Sequence, residues 1–191
     1  MKTEFEVVFS NINREKLVKD IIKLNGICTK ENTLMKRIVF ENPLNPAKSY
    51  LRVRDEGDKI TCTYKEESEG ILDIHSIKEL ETQVNDFDVM VSIFKKVGLR
   101  QKSYQETYRE VWQINNEIEI MIDLWPGLKP YVEIEGEDEE IVIKYSKLLG
   151  FNYDEAIFGT SFQVYEKELG LSIDYINNLT EITFEKIPLK Y

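Results

Sequence analysis

Hydrophobic and polar positions follow two periods along this chain. Three stretches carry the 3.6-residue period of an amphipathic helix. In 13–25, Leu17, Val18, Ile21, Ile22 and Leu24 share a face behind the capping candidate Asn13; in 86–97, Phe87, Met90, Ile93, Phe94 and Val97 follow Asp86. In 138–149 the stripe is Ile141, Val142, Tyr145, Leu148 and Leu149, with Asp138, Glu139 and Glu140 near the positive end of the helix dipole. A glycine followed by an apolar residue closes each (Gly26-Ile27, Gly98-Leu99, Gly150-Phe151), which predicts left-handed C-caps. The three segments share a building plan but no repeat of fixed period.

Between them lie period-two segments at 2–9, 34–41, 49–55, 59–65, 77–84, 104–112, 117–124 and 130–136, with a last candidate at 180–185. Turn signals separate several: Asn42-Pro43 with Asn45-Pro46, Glu56-Gly57-Asp58, Asn115-Asn116 and Trp125-Pro126-Gly127. The short links at 56–58 and 125–129 predict hairpins and hence a largely antiparallel sheet. No Pro/Ser-rich linker divides the chain, so one α+β domain over 1–191 is expected, with 1–136 holding most strands and 137–191 adding helices and a terminal strand. Phe151, Ile157, Phe158, Phe162, Tyr165 and Leu169 predict that this last region packs.

The strand faces are sorted by charge. Glu4 and Glu6 oppose Phe5 and Val7; Arg52 and Arg54 oppose Leu51 and Val53; Thr61, Thr63 and Lys65 oppose Ile60, Cys62 and Tyr64. Glu79 and Glu81 oppose Leu80; Arg109 shares a face with Thr107 and Gln105; Glu117, Glu119 and Asp123 oppose Ile118, Ile120 and Ile122; Glu133 and Glu135 oppose Val132 and Ile134. A sheet with one wet face alternates in this way without any function. Two features point further. Whole strands contribute one sign of charge, and three helices with apolar stripes need an apolar sheet surface to cover. If the sheet curls into a barrel, the charged face becomes a polar tunnel.

Composition narrows the chemistry. The 191 residues are 42% hydrophobic and 31% charged, enough apolar material for a core. Asp and Glu outnumber Lys and Arg by 35 to 25, a formal charge of −10, which argues against nonspecific binding to nucleic acid or an anionic membrane. No apolar run is long enough to span a bilayer and the N-terminus is not a signal peptide, so a cytoplasmic protein is expected. Cys28 and Cys62 lack disulfide or metal-site patterning and are read as small core or near-core residues. Paired carboxylates two apart on a strand are hard oxygen donors suited to Mg²⁺ or Mn²⁺. Arginines in the same cavity need anionic partners, and a polyanion carrying metal meets both demands.

The motifs in order are Glu4-Phe5-Glu6-Val7-Val8, Lys36-Arg37-Ile38-Val39-Phe40, Tyr50-Leu51-Arg52-Val53-Arg54-Asp55-Glu56-Gly57-Asp58 and Thr63-Tyr64-Lys65. Lys78-Glu79-Leu80-Glu81, Tyr104 to Glu110, Ile122-Asp123-Leu124-Trp125-Pro126-Gly127-Leu128 and Tyr131-Val132-Glu133-Ile134-Glu135-Gly136 follow. Together, nearly end to end, the chain resembles the CYTH family (class IV adenylate cyclases and thiamine triphosphatases), also called triphosphate tunnel metalloenzymes. The resemblance implies a closed antiparallel eight-stranded β-barrel with helices packed outside and a charged tunnel.

By that resemblance Glu4, Glu6, Asp123, Glu133 and Glu135 coordinate metal, while Arg52, Arg54, Lys65 and Arg109 grip the triphosphate; Arg37, placed on an inward strand face, is a further expected phosphate contact. Glu4, Glu6, Lys65 and Arg109 stand nearest the chemistry, and Glu79 and Glu81 are further tunnel acids. The implied cofactor is Mg²⁺ or Mn²⁺. The implied activity is hydrolysis of tripolyphosphate or a nucleoside triphosphate; the alternatives are a class IV adenylate cyclase making cyclic AMP and pyrophosphate from ATP, a thiamine triphosphatase using Trp112 or Trp125 as a stacking platform, and a non-catalytic polyphosphate or nucleotide binder. Small-molecule triphosphates are the expected partners of a monomer or homodimer. One position departs from the family: Val8 replaces the lysine that ends the ExExK signature, with Lys167 or Lys186 as candidate substitutes for that cation. His75, the only histidine, lies in a polar connection over 66–76 with no matching base or nucleophile.

Overall fold

A computed structural model of the chain describes residues 1–67 and 72–189, so 68–71 of the predicted polar connection lie outside the described residues. In order the elements are β1 (Lys2–Phe9), α1 (Arg14–Lys23), β2 (Ile27–Glu41), β3 (Ser49–Asp55), β4 (Ile60–Glu67), β5 (Ile77–Val84), α2 (Phe87–Lys96), β6 (Gln101–Ile114), β7 (Ile118–Leu124), β8 (Tyr131–Gly136), α3 (Glu139–Leu148), α4 (Ser161–Leu169), α5 (Ile173–Asn177) and β9 (Glu181–Ile182). The strands run β2-β3-β4-β5-β1-β8-β7-β6, and β6 pairs back onto β2, which closes an eight-stranded antiparallel barrel. β9 adds a short parallel pairing to β6 at Tyr104 and Gln105.

The predicted turns close the barrel. Asn115 and Asn116 take φ of 54° and 57°, the two-residue geometry whose twist matches a hairpin, and Glu117 N–H donates to the Ile114 carbonyl at 3.0 Å. Asn13, Asp86 and Asp138 cap the three expected helices through their side chains. Gly98 and Gly150 adopt the left-handed C-cap. After α1, however, Asn25 carries the left-handed conformation (φ 60°). Gly26 is needed there for a different reason, since a Cβ on it would sit 2.3 Å from Ile21 Cγ2.

The apolar stripes are narrower than the sequence predicts. Ile22, Ile93, Val97 and Leu148 are exposed, whereas Leu17 and Ile21, Val91 and Phe94, and Val142, Tyr145 and Leu149 are buried. The outer surface of a barrel is convex, so a straight helix lying on it touches along a thin line. β2 begins at Ile27 rather than 34, and β6 spans 101–114 rather than 104–112. The early part of β2 is an exposed ribbon on β6, broken by register shifts between Cys28 and Thr33, so no hydrophobic alternation marks it. Cys28 is consequently exposed, against expectation.

Three apolar clusters result. One lies under α1 and α3 and includes Val7, Ile21, Ile120, Ile134 and Val142; another, under α2, includes Phe40, Val53 and Phe94. The third unites Val8, Trp125, Tyr131 and Ile182 with Ile157 and with Val164, Tyr165 and Ile176 from α4 and α5. It closes over the barrel end where β1 finishes and β8 begins. Val8 and Ile157 exchange backbone hydrogen bonds of 3.0 and 2.9 Å, and the Tyr165 hydroxyl donates to the Pro126 carbonyl at 2.7 Å. The region after 150 therefore caps the barrel. No helix among the described residues is long and apolar enough to cross a membrane.

Candidate active site

Strand alternation carries the charged side chains into the barrel, and all the expected site residues except Asp123 line one cavity of about 490 Å³. Closure of the sheet sorts them into two walls. β2, β3 and β4 present Arg37, Arg52, Arg54 and Lys65; β5, β1 and β8 present Glu79, Glu81, Glu4, Glu6, Glu133 and Glu135.

The cationic wall is crowded. Arg37 stands directly opposite Arg54 across β2 and β3. Arg37 Nη2 donates to Thr107 Oγ1 at 2.7 Å, and its guanidinium lies 4.8 Å from the centre of the Trp125 ring. Arg52 Nη2 donates to Thr63 Oγ1 at 3.2 Å and approaches Glu79 and Glu81 only at 3.8 and 3.6 Å. Burial, reinforced by Arg54, Arg52 and Arg109, pulls the Arg37 guanidinium down to about 9. The Nε–H groups of Arg37 and Arg52 and the indole N–H of Trp125 are buried without a hydrogen-bond partner among the described residues. Such donors are costly unless an acceptor reaches them.

The acidic wall is its mirror image. Glu6 pairs directly with Glu135 across β1 and β8, and Glu135 with Glu119 across β8 and β7. Like charges placed opposite one another destabilise a sheet. Burial raises the Glu6 carboxyl to about 8, with Lys65 opposing and Glu133, Glu4 and Glu135 adding to the rise. Glu133 is raised for the same first reason.

Two cations sit at the seams. Lys65 Nζ lies 2.7 Å from Glu4 and 3.2 Å from Glu79. Arg109 donates through Nε and Nη2 to both oxygens of the fully buried Asp123 (2.7 and 2.6 Å), and through Nη2 to Glu133 at 2.5 Å. Asp123 thus stands behind Arg109, and Arg109 ties β6, β7 and β8 together.

Two acids that the sequence did not single out, Glu119 and Glu56, also line the cavity. For Glu119, its in-phase position with Asp123 was the available signal. Glu56, which reads as turn material, is buried against Arg54. Trp125 lines the cavity as well as shaping the β7–β8 corner, whereas Trp112 lies in the outer core. The cation beside Glu4 and Glu6 is Lys65: Lys186 is an exposed partner of Glu181, and Lys167 reaches the Glu155 carbonyl. His75 sits outside the barrel, edge-on to Phe5 and 3.5 Å from Glu139.

The acidic wall also bears on metal binding. Among the described residues no three Asp, Glu, His or Cys side chains converge on one point as ligands. The donor set nevertheless has the right chemistry: carboxyl oxygens on adjacent strands, of which Glu6, raised to about 8 chiefly by burial, would give up its proton to a bound cation. A divalent cation there would offset the repulsion.

Glu6 also makes a stability prediction. The folded state holds its proton between the ordinary carboxylate value of 4.5 and about 8, whereas the unfolded chain releases it. This contribution to stability is therefore lost as pH rises through that window. In EDTA, the Tm of Glu6→Gln is expected to gain on the parent protein between pH 5 and pH 8, by several degrees at roughly 2–4 °C per kcal/mol. Calorimetry at both pH values checks it; a constant difference would contradict the raised carboxyl.

A sequence model of the CYTH domain matches residues 40–155, well over half the chain. The chain belongs to the CYTH domain family. β1, with Glu4 and Glu6, precedes the matched span but is built into the CYTH barrel between β5 and β8. Two archaeal structures share this CYTH fold. One is a conserved hypothetical protein of Pyrococcus furiosus (24% identity, TM-score 0.66, covering 81% of this chain and 95% of that one). The other is the PH1012 protein of Pyrococcus horikoshii (25% identity, TM-score 0.64, 81% and 94%). A Hippeastrum protein, named as a candidate adenylyl cyclase with a dominant triphosphatase activity, shares it at 15% identity (TM-score 0.59, 87% and 96%). No curated protein shows significant similarity to the chain.

Proposed function

We propose that this CYTH barrel binds a triphosphate together with Mg²⁺ or Mn²⁺ and hydrolyses it, acting on tripolyphosphate or a nucleoside triphosphate. One observation carries the reading. The barrel holds a surplus of positive charge on one wall and of negative charge on the other, and each is uncomfortable in its own surroundings, as Arg37 and Glu6 register. A metal–triphosphate complex brings anionic oxygens to the first wall and cationic charge to the second.

Arg37 and Arg52 supply buried N–H donors to phosphate oxygens, and Arg54 adds a third guanidinium. Lys65 donates from the seam beside Glu4. Glu4, Glu6, Glu133 and Glu135 would hold the metal, with Asp123 behind them fixing Arg109. When bound, the divalent ion neutralises phosphate charge and favours ionisation of water. Phosphoryl transfer depends mainly on positioning and charge neutralisation, so no protein nucleophile is required. Hydrolysis is the reading preferred over cyclisation because the charged groups lining the cavity suit a phosphate chain and its metal. The Hippeastrum protein's dominant triphosphatase activity is compatible with that choice.

Replacing Glu133 and Glu135 together by glutamine removes two like charges from the acidic wall. Activation of phosphate release by Mg²⁺ is expected to weaken by at least roughly tenfold, while the Tm of the metal-free protein holds or rises. A Mg²⁺ titration of orthophosphate release, with a melting curve alongside, checks both. Full activity at the parent Mg²⁺ concentration would remove these glutamates from the metal site.

A further inference from the structure

We propose that Glu56 is a positioning residue that fixes the Arg54 guanidinium in the tunnel for a phosphate oxygen. This rests on reading the tunnel as a triphosphate site. Glu56 follows β3 immediately, is only 4% exposed, and divides its carboxylate between two tasks. Oε1 accepts from Arg54 Nε at 2.8 Å and from Thr61 Oγ1 at 3.4 Å, and it lies 2.5 Å from Arg54 Nη2 as an ion pair. Oε2 faces Lys30 Nζ at 3.2 Å and Lys59 Nζ at 3.7 Å. The two lysines hold one oxygen, which aims the other at Arg54; the Glu56 N–H to Lys59 carbonyl bond at 2.9 Å fixes the backbone.

Arg54 needs such an anchor. It faces Arg37 across the β2–β3 ladder and shares its wall with Arg52, so repulsion would turn it away from the positions that a polyanion requires. Arg52 has only long carboxylate contacts at 3.6 and 3.8 Å, and Arg37 leans on a hydroxyl. Of the three arginines on this wall, Arg54 is the one with a close, buried carboxylate behind it among the described residues. Glu56 engages Nε and Nη2, and Nη1 is the donor it leaves unused. Burial pushes the Glu56 carboxyl up, but Arg54, Lys59 and Lys30 outweigh it and hold the group down at about 2, so it remains an anion at working pH.

The test uses the full chain with Mg²⁺ and tripolyphosphate. Glu56→Gln is expected to raise KM about tenfold and leave kcat within about twofold, because it acts through binding geometry. Arg54→Gln should raise KM at least as much, and the double variant should be no worse than Arg54→Gln alone, since two residues on one path do not add. Glu56→Asp, shorter by one methylene, should fall between the parent and Glu56→Gln, and it decides the matter if Glu56→Gln fails to fold. Independently of ligand, the Arg54 Nε–H resonance should be slow to exchange with solvent in the parent protein and fast in Glu56→Gln. An unchanged KM, multiplying effects in the double variant, or an unaltered Arg54 resonance would overturn the proposal. If the parent protein neither binds nor cleaves tripolyphosphate, the triphosphate reading fails, and the resonance still reports whether Glu56 holds Arg54.

Discussion

Replacing Arg109 by glutamine is expected to cost the protein both its stability and its turnover. The side chain meets Asp123 through two donors at 2.7 and 2.6 Å and Glu133 through a third contact at 2.5 Å. Asp123 has no exposed surface, so truncating its partner leaves an uncompensated buried charge. Breaking such a pair costs about 3–5 kcal/mol, or roughly 10 °C in Tm for a chain of this size. Phosphate release should fall by about 10²-fold or more, the scale seen when one charge-stabilising donor is removed. Lysine at this position keeps the charge but loses the fork that spans both oxygens, and should recover only part of the melting temperature. A Tm within 2 °C (about 1 kcal/mol or less) of the parent would show that Arg109 does not hold β6, β7 and β8 together.

Restoring the family's lysine at Val8 is expected to harm the protein rather than improve it. On sequence alone, Val8→Lys reads as the repair of a missing phosphate or water contact. In the structure Val8 is 1% exposed, packed with Trp125, Tyr131, Ile157 and Ile176, and its backbone is bonded to Ile157. The space a lysine would take is filled by the cap, and Lys65 already supplies the cation beside Glu4. Overpacking alone costs about 1–3 kcal/mol, and desolvating the ammonium adds to it. Turnover should drop as the cap loosens. Melting curves and initial rates test this together; a stable Val8→Lys protein with sharply raised turnover would mean that Val8 marks a weakened catalytic position and not a seam of the cap.

The parts of the molecule legible in sequence share one physical basis. Alternation placed Glu4, Glu6, Arg52, Arg54, Lys65, Arg109, Glu133 and Glu135 on one face of the sheet, and closure turned that face inward. Capping side chains marked the starts of α1, α2 and α3. What stayed hidden depends on contacts distant in sequence. Ile27–Thr33 forms strand through backbone pairing to β6 without a buried face, so its side chains carry no period. Glu56 belongs to a turn until Lys30, from another strand, fixes its carboxylate. The cap role of α4 and α5 appears only when Ile157 meets Val8, some 150 residues earlier in the chain. The stripe on α2 reads wider than it packs, because sequence period does not convey the curvature of the sheet beneath it.

In the proposed function, the two charged walls together hold a metal-bound triphosphate and cleave it. A phosphorus NMR time course of the full chain with tripolyphosphate and with ATP, in Mg²⁺ and in EDTA, addresses it directly. Orthophosphate appearing with pyrophosphate or ADP, only in the presence of Mg²⁺, is the predicted result. Pyrophosphate appearing with a cyclic nucleotide would contradict hydrolysis, as would broadened phosphate lines with no product, and equal rates in EDTA would contradict the role of the metal.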